Sequence, residues 1–73
     1  MRVSEFWQAV TDEFGDAYGR SVTRDLVLRE VGDLTAVEAI AAGKDTRDIW
    51  FAVCAATDVP RHRWHGAGQL PKK

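Results

Sequence analysis

Apolar residues recur along the first sixty positions at helical spacing, and the breaks between the runs are marked by glycine, aspartate and proline. Phe6, Trp7, Val10 and Phe14 share one face of a helix, and Ser4 ahead of them has the side chain of an N-cap, so the spacing predicts helix one over 5–14. Gly15 offers a left-handed stop and Asp16 a cap for helix two, predicted over 17–30, with Tyr18, Val22, Leu26, Val27 and Val31 as its inward stripe. Gly19 falls in the first turn of that helix, where glycine costs about 1 kcal/mol relative to alanine, which makes a start nearer Arg20 the competing boundary.

Gly32-Asp33-Leu34 breaks the pattern, and Thr35-Ala36-Val37-Glu38 then reads as a capping box: the threonine hydroxyl accepts from the Glu38 backbone and the glutamate reaches back. A short helix over 36–42 points Val37, Ile40 and Ala41 inward and stops at Gly43. Asp45 caps a fourth helix whose stripe is Ile49, Trp50, Val53 and Cys54, and which ends before Pro60 because proline disfavours helical geometry in the residue preceding it. Arg61-His62-Arg63-Trp64 makes one further turn that lays Trp64 back on the bundle, whereas 65–73 has glycines, a proline and terminal lysines without a period. No strand pattern or repeat appears. The predicted fold is all-α, a compact bundle of four short helices forming a single domain over 1–64, with a disordered basic C-terminal tail over 65–73.

At 73 residues a second domain is excluded, and burial in so short a chain leaves roughly 3–5 kcal/mol after entropy, so homodimerisation stays open as a route to stability. One cysteine, Cys54, excludes an intrachain disulfide and fits a reducing compartment. Met1-Arg2-Val3-Ser4-Glu5 lacks the apolar run of a secretory signal, and nowhere does the chain offer the ~20 apolar residues of a bilayer span, so a cytoplasmic protein without a membrane role is expected. Charge is uneven: residues 1–58 hold six Lys or Arg against eleven Asp or Glu, and 59–73 hold four Lys or Arg and no acid. An acidic body repels phosphate, so generic nucleic-acid binding is disfavoured and only the tail supplies attraction.

Several spaced blocks carry a resemblance: Met1-Arg2-Val3-Ser4-Glu5-Phe6-Trp7, Phe14-Gly15-Asp16-Ala17-Tyr18, Ser21-Val22 with Asp25 and Val27-Leu28, Ala39-Ile40-Ala41-Ala42-Gly43, Asp48-Ile49-Trp50 with Ala52-Val53-Cys54, and Asp58-Val59-Pro60 with Arg63-Trp64. Over residues 1–64 the chain resembles an actinobacterial family of short proteins known only as a domain of unknown function. Leu26 stands where the resemblance leads one to expect histidine, and Phe51 where it leads one to expect a polar residue. The resemblance implies a gene neighbourhood near the RecA recombinase and its regulator, which is an association and not a mechanism. It brings no catalytic motif.

Four constellations remain to be weighed. Thr35 to Ala56 has the outline of a degenerate helix-turn-helix, with Ala39, Gly43 and Ile49 at the small, turn and core positions; Lys44, Arg47, Lys72 and Lys73 are then the candidate DNA contacts. Asp45 and Asp48 would face phosphate, however, and two capped helices joined by a glycine turn explain the same residues. Cys54, Asp58, His62 and His65 have helical spacing for a metal, but Pro60 interrupts it and there is no second cysteine, so no metal is expected; on an apolar stripe Cys54 is a small, inert core residue. Asp12/Glu13 and Asp45/Asp48 read as solvated carboxylates and not as an acid–base pair, and Gly66-Ala67-Gly68 lacks the strand and helix of a phosphate loop.

Trp7 and Trp50 lie on inward stripes, while Phe51, about 100° around the helix from Trp50, is the best candidate for an exposed anchor. No catalytic residue and no cofactor are expected. The reading is a non-enzymatic helical interaction module with a protein partner, its candidate contacts Phe51, Arg61, Arg63 and Trp64; a small DNA-binding protein is the alternative.

Overall fold

The computed structural model describes residues 1–64, so the predicted tail over 65–73 lies outside the described residues. Helix α1 spans Val3–Phe14, α2 Asp16–Asp25, α3 Ala36–Ala41 and α4 Thr46–Ala56, with single 3₁₀ turns at Arg29–Val31 and Arg61–Arg63. Between α2 and α3 the chain forms a two-stranded antiparallel hairpin, β1 Val27–Leu28 and β2 Leu34–Thr35, pairing Val27 with Thr35 and Leu28 with Leu34. The fold is therefore mostly helical but not purely so.

The hairpin corrects the second predicted helix. Leu26 leaves helical geometry with ψ 120°, and the chain reverses through Gly32 and Asp33, both left-handed, while Asp33 N–H donates to the Leu28 carbonyl at 3.0 Å. The reversal puts Leu28 and Val31 in the core and turns Val27 outward, where it is 53% exposed. Tyr18, expected inward, is 58% exposed. Glycine at 19 is required by packing: α2 crosses α1 so closely that a Cβ there would lie 2.7 Å from Val10 Cγ1, well inside van der Waals contact. Helix α2 thus runs through Gly19, starting at Asp16 and not near Arg20.

Helix α1 begins two residues earlier than expected. Arg2 is its N-cap, and the Glu5 carboxylate accepts the Arg2 N–H at 2.8 Å, so Ser4 lies inside the helix. Phe6, Ala9 and Val10 are buried, while Trp7, expected in the core, is 37% exposed and meets Phe6 edge-on with ring centroids 5.1 Å apart. Both halves of the Thr35–Glu38 capping box form, at 3.2 and 3.0 Å. Helix α3 is rotated from the predicted phase: Ala36 and Ala39 face the core, Ile40 is half-buried, and Val37 and Ala41 face outward. Gly43, with φ 82°, ends α3 in a Schellman arrangement in which Lys44 N–H donates to the Ala39 carbonyl and Gly43 N–H to that of Ile40.

Helix α4 is the centre of the domain. The Asp45 carboxylate accepts from Arg47 N–H at 2.8 Å, and Ile49, Trp50, Val53 and Cys54 are all fully buried, as their spacing predicts. Phe6 and Phe14 meet the Trp50 ring edge-on, at 6.2 and 6.3 Å between centroids. The Thr46 hydroxyl donates to the Met1 carbonyl and ties the chain start to this helix.

Candidate functional site

The most distinctive surface is built where the chain folds back after α4. Asp58 takes a left-handed conformation, φ 61°, and Val59 N–H donates to the Cys54 carbonyl, so the helix closes in a second Schellman turn with Val59 packed as its apolar contact. Pro60 then directs the Arg61–Arg63 turn alongside α4. The Trp64 indole N–H donates to the Val59 carbonyl at 2.7 Å, the buried Trp50 indole N–H donates to the Trp64 carbonyl, and Arg63 pairs with Glu13 of α1. Three attachments thus hold a segment of four residues, and the Glu13 side chain beneath it is only 8% exposed.

This return seats Trp64 against Phe51, with ring centroids 5.3 Å apart and planes tilted by 34°. Phe51 is consequently half-buried and not the freely exposed anchor that its position beside Trp50 suggests. Each ring carries an arginine: the Arg47 guanidinium lies 5.6 Å from the Phe51 centroid and that of Arg61 lies 4.8 Å from Trp64, distances at which a cation is attracted by the ring face. Next to the rings runs a groove of about 310 Å³ lined by Glu30, Asp48, Phe51, Ala52, Ala55 and Trp64. Its floor is apolar and its rim carries two carboxylates, neither of which is in an ion pair among the described residues.

The structure thus brings together Phe51, Arg61 and Trp64 of the expected contact set, while Arg63 points to Glu13. Of the DNA candidates, Arg47 is stacked on Phe51 and Lys44 is exposed beyond Gly43; Lys72 and Lys73 lie outside the described residues. The outward residues of α4 and its cap include Asp45, Arg47, Asp48, Ala55 and Ala56, so two acids flank the one base. Sequence reasoning missed Glu30 and Asp48 as rim residues. Asp48 and Phe51 are three apart on one helix, so that part of the pattern was available; Glu30 joins them only through the hairpin.

A second, more polar groove of about 440 Å³ lies between α2 and the end of α4, lined by Tyr18, Ser21, Asp25, Leu26, Thr57 and Asp58 among others. Ser21 Oγ donates to Asp25 at 3.4 Å and Thr57 Oγ1 to the Val53 carbonyl at 2.8 Å, so these two hydroxyls are engaged locally. Cys54 is fully buried, and desolvation, with a smaller contribution from the Glu13 charge, pushes its thiol up to about 12 from the ordinary 9.0, so the side chain is a protonated core residue near neutrality. Among the described residues no group of three or more His, Cys, Asp or Glu side chains comes together to hold a metal ion, and His65 lies outside them. None of their helices is long and apolar enough to cross a membrane.

The family model described as "Protein of unknown function (DUF3046)" matches residues 1–62. No curated protein and no solved structure matches the chain.

Proposed function

The chain belongs to the DUF3046 family of proteins of unknown function, and from that premise we propose that it is a non-enzymatic helical interaction module whose partner is another protein. The observation that carries the reading is the Phe51–Trp64 pair: two large rings held half-exposed, each with an arginine on its face, beside an apolar groove. Aromatic and arginine side chains dominate the energetics of protein contacts, and here they are pre-ordered by the Trp50, Val59 and Glu13 attachments, so little conformational entropy is lost on docking. DNA contact through α4 has less support, because its best-buried face is spent on the core and acids flank the free one.

The test is affinity capture on the immobilised full chain beside a Phe51→Ser variant whose helicity is verified by circular dichroism. Proteins held by the parent and lost from the variant support the reading. An identical retained set, or retardation of duplex DNA that weakens steeply with salt, overturns it.

A further inference from the structure

The groove beside the aromatic pair has a chemistry of its own, and resting on the module reading above, we propose that it accepts a protein segment presenting one apolar side chain next to a lysine or arginine. The floor is made by Phe51, Trp64, Ala52 and Ala55; the small side chains of buried Ala52 and exposed Ala55 leave the space that an aliphatic side chain fills. At about 310 Å³ the space suits one or two side chains and is far too small for a folded surface. Glu30, from the hairpin turn, and Asp48, from the first turn of α4, put two carboxylates on the rim. Among the described residues neither is in an ion pair, whereas Arg47 and Arg61 are drawn onto the ring faces and do not line the groove. A neutral or acidic segment would bury its apolar group at the cost of leaving the rim unpaired or repelled; a basic neighbour to the anchor satisfies both features of the groove at once.

The partner chemistry is read by selecting displayed random dodecapeptides on the full chain. Enriched sequences should pair Leu, Ile, Met or Phe with Lys or Arg within one helical turn or two strand positions, and should be depleted of Asp and Glu. A selected peptide should bind about tenfold more weakly when its base is changed to glutamine, and equally so when the base is kept and the protein carries Glu30→Gln with Asp48→Asn, as two exposed pairs predict. The base change should then have no effect on that doubly neutral protein. Enrichment without charge preference, or a base effect that persists in the neutral protein, overturns the proposal. Amide shifts at positions 48, 51 and 55 that differ between the full chain and a chain ending at Trp64, with no peptide present, would make residues 65–73 the occupant and overturn it as well. Self-association lost in Phe51→Ser would do the same by making a second copy the occupant. Captured proteins that depend on Phe51 but not on Glu30 or Asp48 would retain the module reading and reject this one.

Discussion

Gly19 offers the sharpest check on the packing, because one methyl group should change the sign of its effect with the residue opposite. Alanine is the better helix former by about 1 kcal/mol, so Gly19→Ala in the middle of α2 would stabilise an unobstructed helix. Here the added Cβ would stand 2.7 Å from Val10 Cγ1, and Val10 is buried and stiff about its first torsion, so the strain cannot be shed by a free side-chain rotation. Overpacking of this kind costs roughly 1–3 kcal/mol, which offsets the propensity gain and leaves a net loss of up to about 2 kcal/mol. For a domain this small that lowers the melting temperature by several degrees, at about 4–8 °C per kcal/mol. Val10→Ala removes the obstructing methyl at a cost of roughly 2 kcal/mol, and in that background Gly19→Ala should raise stability by about 1 kcal/mol. Urea denaturation followed by circular dichroism on the four proteins completes the cycle. A Gly19→Ala effect of the same sign in both backgrounds refutes the close α1–α2 crossing.

Two further outcomes follow from the core and the caps. Because burial holds the Cys54 thiol up to about 12, against 9.0 unfolded, the folded state keeps the proton: the associated stability is fully present below about pH 9 and is lost as pH rises from there towards 12. Alkylation of Cys54 near neutrality should therefore proceed only through unfolding and follow the urea dependence of stability, and a Cys54→Ala chain should lose less stability between pH 9 and 12 than its parent; direct labelling of the folded chain would contradict the burial. Thr35→Ala removes one hydroxyl of the capping box and should cost about 1 kcal/mol by urea denaturation, with Glu38→Ala in the same chain adding less than it does alone; strict additivity would mean the box does not act as a unit.

Which parts of this fold could be read from the chain follows from how local their causes are. The α4 stripe, the Thr35–Glu38 box, the Gly43 stop and the arrest before Pro60 each depend on residues within about five positions of one another, and all appear where the sequence puts them. The hairpin was hidden because its strands are two residues long, too short to show alternation, and Leu26, Val27 and Val31 also satisfy a helical period. Gly32-Asp33 carries the residue types of a helix break, and the same left-handed pair makes the reversal of a hairpin. Trp7 and Tyr18 have the helical spacing of the inward stripes but are exposed, whereas Val10, against which Gly19 packs, and Val22 are buried. At the candidate site the same division holds. The Arg47–Phe51 stack is an i, i+4 relation and legible, whereas the Phe51–Trp64, Trp50–Trp64 and Glu13–Arg63 contacts require the Asp58 turn to bring the chain back over α4.

The central claim is that the Phe51–Trp64 face meets another protein. Its most direct test is a photo-reactive phenylalanine analogue placed at position 51 in the living cell, compared with one at exposed Arg24 on α2. The account predicts a discrete crosslinked protein from position 51 that is absent from position 24, and discrete products from neither position, or the same products from both, would contradict it.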